Sequence, residues 1–188
     1  RQVEPMLAPS VRGGMLVASD HQLDPHALLA ALSVAATDAG VEVHRDRVVE
    51  VLHSGERVSG VRLRSGDVVS SGTVVIAAGA WSGAIEGIPT EFRPPIRPVK
   101  GQLLRMRRPR SGEFLTRTVR GLVQGQPIYL VPRSDGRLIV GATSEEQGFD
   151  GRVTAEAVYT LLRDARLLVP GITECEFVEV STAFRPGT

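Results

Sequence analysis

The sequence predicts an α+β chain: antiparallel or mixed-sheet strands with helices on one face, joined to a smaller and incomplete α/β portion. Two patterns support this class. Short runs of alternating apolar and polar residues are separated by glycine-containing turns, and only two stretches carry apolar residues at helical spacing. With 188 residues, 42% of them hydrophobic, the chain is long enough for one domain or two small ones around a sizeable core.

The first half opens with a predicted strand at residues 11–18, followed by a helix. Asp24 is a suitable N-cap and Pro25 suits the first helical position, while Gly40 ends the helix. Residues 41–44 then predict a short strand across a tight turn.

Three strand-like runs come next, with turn signals at Ser54-Gly55 and Ser65-Gly66, which predicts a small antiparallel meander. The third run leads into Val74-Val75-Ile76, a β-branched stretch typical of a strand buried on both faces. The small residues 77–80 let a backbone or a ligand approach, and Trp81-Ser82 begin a turn into a helix. This order resembles the later part of a dinucleotide-binding α/β domain, but no G-x-G-x-x-G follows any strand.

The second half predicts antiparallel strands with a helix on one face. Residues 127–133 and 137–144 alternate and are joined by Asp135-Gly136, a strong hairpin signal. Thr154 caps the helix, which stops at Pro170-Gly171. Two further strands are predicted, at residues 99–107 and 174–185.

Charge and composition exclude several classes of partner. The net charge of +1 gives no strong attraction to nucleic acid or to an anionic membrane, and no apolar run approaches the roughly 20 residues that span a bilayer. The single cysteine, Cys175, allows no internal disulfide and favours a reducing, cytoplasmic location. The four histidines lack metal-ligand spacing, so we expect no metal site.

Few residues suggest chemistry by spacing alone. Arg185 ends a strand, where its guanidinium fork suits a planar carboxylate, although a surface arginine fits the same pattern. Tyr129 shares a strand face with Val131, which favours a place in the core over a place in a binding site, although its hydroxyl could reach into a pocket. Glu145 and Glu146 are adjacent and point to opposite faces, which argues against a paired-carboxylate site. Spacing therefore predicts no catalytic residue and no reaction.

Four ordered segments nevertheless resemble a known family: "VVIAAGAWSG", "PIRPVKGQLLRM", "IYLVPRSDGRLIVGATSEEQGFD" and "FRPGT". Together with "HQLDPHALLAAL" they resemble the FAD-dependent amine and D-amino-acid oxidase superfamily, and most of all its glycine oxidase branch, which serves thiamine biosynthesis. The resemblance implies a substrate-binding domain at residues 1–20 and 90–188 and part of an FAD-binding domain at residues 21–89. The chain then resembles an internal section of a longer enzyme, inactive by itself because the phosphate-binding loop is missing.

The resemblance also implies roles for individual residues. Arg185 would bind the substrate carboxylate and Tyr129 would lie near the substrate pocket. Four residues would contact FAD, the backbone of the first at the adenine end and the others beside the flavin: Val48, Gly79, Ala80 and Trp81. The implied partners are a small amino acid or amine and O2, and a homo-oligomer is possible.

The implied reaction oxidises glycine, or a small D-amino acid or amine, at the α-carbon, with hydride transfer to flavin N5. The imine hydrolyses to a 2-oxo acid, and O2 reoxidises the flavin to give H2O2. No catalytic base is required. Three alternatives stay open: a dehydrogenase that passes electrons to a quinone or carrier, a sarcosine-type oxidase, and a binding module without catalysis.

Overall fold

The computed structural model describes residues 2–188, which form two compact units. The larger unit combines the chain up to Gln22 with Val99–Arg185, and the smaller contains Leu23–Pro98 and Pro186–Thr188. Antiparallel sheets and two α-helices in the described residues confirm the predicted α+β class. Neither helix is long and apolar enough to cross a membrane.

In the smaller unit, helix α1 spans Pro25–Asp38, as its capping residues predict. The Asp24 carboxylate accepts hydrogen bonds from the backbone of His26 at 2.9 Å and of Ala27 at 3.4 Å. No residue of α1 is buried, and its leucines are exposed. The apolar spacing therefore predicts the helix correctly, while residues 2–188 do not cover its apolar side chains.

The predicted meander is confirmed as a three-stranded antiparallel sheet in the order β1-β2-β3. Its strands are β1 (Val48–Ser54), β2 (Arg57–Leu63) and β3 (Val68–Ser70). Glu86 then forms a parallel bridge beside β1, because its carbonyl accepts from Val51 N and its own N–H donates to Val49 O, both at 2.9 Å. The chain after β3 thus returns to β1.

Three predicted strands are wrong: residues 11–18, 41–44 and 74–76 have no strand structure. A strand needs a hydrogen-bonded neighbour, and within residues 2–188 no strand pairs with these segments. The run at 74–76 has the composition of a strand buried on both faces, yet Val75 is 85% exposed. The turn predicted at Trp81-Ser82 is present as a 3-10 helix, Gly79–Ala84.

The larger unit contains a five-stranded sheet in the order β5-β6-β7-β4-β8. Its elements are β4 (Arg97–Arg107), β5 (Val119–Val123), β6 (Gln126–Pro132), β7 (Arg137–Gly141), helix α2 (Ala155–Leu168) and β8 (Glu176–Gly187). The hairpin at Asp135-Gly136 is confirmed. Strand β5 escaped prediction because Gly121 interrupts its alternation and Leu122 is exposed.

Helix α2 covers one face of this sheet and forms the core with it. Thr154 caps the helix, as predicted, by accepting a hydrogen bond from Ala157 N at 3.3 Å. The most buried strand residues face Leu161 and Ala165 of α2; they are Leu104, Met106, Ile128, Leu130, Leu138 and Val140. Because side chains alternate along a strand, their sequence neighbours define the opposite, helix-free face.

Candidate functional site

A row of four residues crosses the helix-free face, each directly opposite the next on the neighbouring strand. The row runs from Arg120 on β5 to Tyr129 on β6, Gly141 on β7 and Leu103 on β4. Tyr129 is half-buried, and its neighbours Ile128 and Leu130 point into the core under α2. The core position that strand alternation favours for Tyr129 is therefore wrong, because the core face of β6 is the one that carries Ile128 and Leu130.

Gly141 makes room for the Tyr129 ring. A Cβ atom at position 141 would lie 2.5 Å from Tyr129 Cζ and 2.8 Å from Cε2, so the ring rests against the glycine backbone. The missing side chain therefore lets an aromatic ring lie directly against the sheet.

Gly101 does the same for Arg185. A Cβ atom at position 101 would lie 3.0 Å from Arg185 Cζ. Gly101 is two residues before Leu103 on β4, so it belongs to the same face as the row containing Tyr129. Arg185 and Tyr129 therefore share the helix-free face.

The guanidinium of Arg185 is held at one nitrogen. Nη2 donates to the carbonyl oxygen of Thr143 at 2.7 Å, and the side chain makes no other hydrogen bond or ion pair within residues 2–188. A guanidinium carries five N–H donors, and the side chain of Arg185 is exposed to solvent. The remaining donors can bind a carboxylate in the bidentate geometry that the fork favours.

The close approach at Gly141 leads to a stability prediction. In the complete gene product that carries this chain, we expect Gly141→Ala to lower the free energy of unfolding by about 1–3 kcal/mol, because the new methyl group displaces the Tyr129 ring. The matched control is Gly13→Ala, since no heavy atom lies within 4 Å of a Cβ there. Urea unfolding measures both; equal midpoints for the two variants would contradict this packing.

Beneath the face, on the α2 side of β4, lies a buried polar network. Lys100 and Gln102 are both fully buried, at 0% exposure. Lys100 Nζ lies 3.5 Å from Glu145 Oε2, and it donates to Gln147 Oε1 at 3.2 Å and to Arg152 O at 2.6 Å. Gln102 Nε2 donates to Glu145 Oε1 at 2.8 Å. The buried cation is thus paired and hydrogen-bonded, as such a charge requires.

Glu145 is the anionic centre of this network. Burial by itself raises the pKa of its carboxyl, but hydrogen bonds from Thr143 and Gln102, together with the charge of Lys100, outweigh burial and lower the pKa. Glu145 is partly buried whereas Glu146 is exposed, as their adjacency predicts. Sequence reasoning missed the Lys100–Glu145 pair; the available signal was the polar pair Lys100 and Gln102 at the core-facing alternation of β4.

The residues expected beside FAD lie in the smaller unit. Val48 begins β1, next to an irregularity in the pairing with β2. Gly79 begins the 3-10 helix with φ at +55°, and no heavy atom lies within 4 Å of the position of a Cβ, so its backbone faces open space. Ala80 is 4% exposed and Trp81 is 41% exposed. An open glycine backbone beside a partly exposed indole fits the approach of a flat ring system.

Cys175 lies one residue before β8 and is half-buried. Burial, with a smaller effect of the Glu174 charge, raises the pKa of its thiol to about 11. The group is therefore protonated at neutral pH and poorly suited to act as a nucleophile.

The family model described as "FAD dependent oxidoreductase" matches residues 1–188, the whole of this chain. The chain therefore belongs to the DAO family of FAD-dependent oxidoreductases. This result confirms the resemblance inferred from the four ordered segments, and FAD is the cofactor of the family.

Individual relatives narrow the comparison. Glycine oxidase from Geobacillus kaustophilus is 35% identical over 189 residues, covering 100% of this chain and 48% of the relative; its crystal structure superposes on 98% of the chain with a TM-score of 0.86. The bifunctional protein ThiO/ThiG of Trichormus variabilis is 37% identical, covering 100% of this chain and 28% of that protein. Hydrogen cyanide synthase subunit HcnC of Pseudomonas aeruginosa is 31% identical, covering 100% and 44%. The chain spans less than half the length of these relatives.

Proposed function

We propose that this chain forms the substrate-binding domain and part of the FAD-binding domain of an oxidase for glycine or another small amino acid or amine. The observation that carries the proposal is the exposed Arg185 guanidinium, anchored at one nitrogen on the same sheet face as Tyr129. The similarity to glycine oxidase over the whole chain supports the substrate class.

In this proposal Arg185 binds the substrate carboxylate through its unengaged donors and so fixes the orientation of the α-carbon. Tyr129 bounds the site on the neighbouring strands, and its ring limits the space available to a side chain on the substrate. Bound FAD would supply the hydride acceptor for the α-hydrogen, and its reoxidation by O2 would give H2O2. With FAD as hydride acceptor, the chemistry at the α-carbon would require no general base from the protein.

The smaller unit would hold the flavin. Gly79 offers open backbone, Trp81 a partly exposed ring, and the buried Ala80 only its main chain. Val48 at the irregular start of β1 would meet the adenine end through its backbone. Because the chain spans less than half of its relatives, we propose that the activity belongs to a longer protein and that the 188-residue chain alone is inactive.

A second candidate is a part in the formation of hydrogen cyanide, combined with the dehydrogenase alternative in which electrons pass to a quinone or carrier. It is favoured by one observation, the 31% identity to a hydrogen cyanide synthase subunit over the whole chain. If the cyanide precursor is an amino acid, the same Arg185 site would bind its carboxylate.

The products separate these candidates. The complete gene product, loaded with FAD, is mixed with glycine, sarcosine and D-alanine in air, and H2O2, 2-oxo acid and cyanide are measured. Peroxide with 2-oxo acid is expected. Cyanide with reduction of an added dye would favour the second candidate, and an unreduced flavin with every substrate would overturn both. We also expect the 188-residue chain alone to bind FAD weakly, and titration of this chain with FAD tests that expectation.

Two further proposals concern the cellular compartment of the protein and the self-association of the chain. The lone cysteine supports a reducing compartment such as the cytoplasm. Self-association of the 188-residue chain into a homo-oligomer is proposed from its exposed apolar side chains, which include Leu28, Leu29 and Leu32 of α1, and sedimentation of this chain tests it.

A further inference from the structure

The carbonyl oxygen that anchors Arg185 belongs to Thr143, two residues beyond the end of β7. Thr143 is itself bound to β4 twice: its N–H donates to Gln102 O at 3.1 Å, and its hydroxyl oxygen accepts from Gln102 N at 2.8 Å. A single residue thus connects the exposed guanidinium to the strand that carries the buried network.

The Thr143 hydroxyl is fixed from the other side by Glu145, whose Oε1 accepts its hydrogen bond at 2.5 Å. Glu145 is in turn held by the buried cation of Lys100 and by a backbone bridge to the same residue, in which both N–H···O distances are 2.9 Å. The Thr143 hydroxyl therefore donates to Glu145 and accepts from the backbone of Gln102, and both of these partners are held in place by other contacts. Its orientation fixes the Thr143 peptide, whose carbonyl carries Arg185.

We propose that Thr143 is a positioning residue for the carboxylate site: its hydroxyl, locked between Glu145 and the backbone of Gln102, aims the carbonyl that orients Arg185. The inference rests on the proposed function, because it assumes that Arg185 binds the substrate carboxylate. The Thr143 side chain contacts the buried network and not the guanidinium, so its effect on binding passes through its own main chain.

The test uses the complete gene product with FAD bound and acetate as the probe, since acetate is the smallest carboxylate with a methyl carbon; binding is followed by the flavin absorbance. We expect Thr143→Val, which keeps the shape and removes the hydroxyl, to raise the Kd for acetate about tenfold, as loss of one aligned charged hydrogen bond does. Thr143→Ser, which keeps the hydroxyl, should return the Kd to within about twofold of the wild type. Should the valine variant not fold, Thr143→Ala replaces it.

The matched control is Thr160→Val on α2, which removes a hydroxyl bonded to Glu156 at 3.1 Å and touches neither Arg185 nor Gln102. Its Kd for acetate should equal that of the wild type. In an Arg185→Ala background, Thr143→Val should cause no further loss, because the group that it positions is gone.

The outcomes separate the inference from the proposed function. If Arg185→Ala weakens acetate binding while Thr143→Val leaves it unchanged, the positioning role is wrong and the proposed carboxylate site stands. If Arg185→Ala has no effect on acetate, the proposed site is wrong and the inference fails with it. A loss for Thr143→Val that serine does not restore, or that Thr160→Val reproduces, would also overturn the inference.

Discussion

If the complete FAD-loaded protein oxidises glycine as proposed, replacing Arg185 by alanine should lower kcat/KM for glycine by about two to four orders of magnitude. The reason is that charge-assisted hydrogen bonds are worth about 1.5–3 kcal/mol each, and a bidentate fork makes two of them. The guanidinium is exposed and bonded only through Nη2, so its removal strands no charge and costs only the hydrogen bond to the Thr143 carbonyl. The flavin content and the unfolding midpoint should therefore stay near the wild-type values.

Two further variants sharpen this result. Arg185→Lys keeps the charge and loses the planar fork, so the kcat/KM of this variant should fall between that of Arg185→Ala and that of the wild type. Arg62→Ala is the control for loss of an exposed arginine, because Arg62 pairs with Glu50 at 2.9 Å on the meander, which is a different sheet from the one that carries Tyr129. Steady-state kinetics with glycine measures all three; an alanine variant with wild-type kcat/KM would remove Arg185 from the site.

Replacing Lys100 by methionine has the largest expected effect on stability. Removing one partner of a buried ion pair typically costs about 3–5 kcal/mol, because the other charge stays buried without its counterion. Lys100 is fully buried, and the side chain of Glu145 is only 17% exposed. We expect a loss of that order in urea unfolding of the complete protein.

The exposed pair Arg62–Glu50 provides the contrast for this prediction. Arg62→Met should cost only about 0–1 kcal/mol, since solvent screens the pair. The double variant Lys100→Met with Glu145→Leu should recover much of the loss, because replacing both charges by apolar groups removes the stranded carboxylate. A Lys100→Met loss no larger than that of Arg62→Met would show that the network contributes little.

The same carboxylate sets a pH dependence. The pKa of Glu145 is lowered below its ordinary value of 4.5, so the folded state favours the charged form. Its contribution to stability is complete above pH 4.5 and is lost as the pH falls through the lower, folded-state pKa. In Glu145→Gln the acid limb of the stability curve should flatten by the share of this one group.

How much of the fold the sequence predicts depends on whether the signal is local. Caps and tight turns form by contacts between residues that are close in sequence. The elements delimited by Asp24, Thr154 and the Asp135-Gly136 turn are confirmed. The run at residues 74–76 carries only a preference for burial between neighbouring strands. Without a partner strand in residues 2–188 that preference leaves no strand.

The candidate site shows the same division. Motif resemblance singled out Arg185 and Tyr129, but that they share one face follows only from the pairing of β6, β7 and β4. The Thr143–Glu145–Lys100 network was invisible beforehand, because alternation shows that Lys100 points inward without showing which residue 45 positions later will meet it.

The shape of the helix-free face depends on two glycines, Gly101 and Gly141, which have no side chain. At Gly101 and Gly141 a methyl group would occupy the space now taken by the Arg185 guanidinium and the Tyr129 ring. Glycine and alanine codons differ by one base. A single point mutation at either position would therefore move the Arg185 guanidinium or the Tyr129 ring away from the sheet. The depth of this surface can thus change in single mutational steps, independently of the polar residues that it carries.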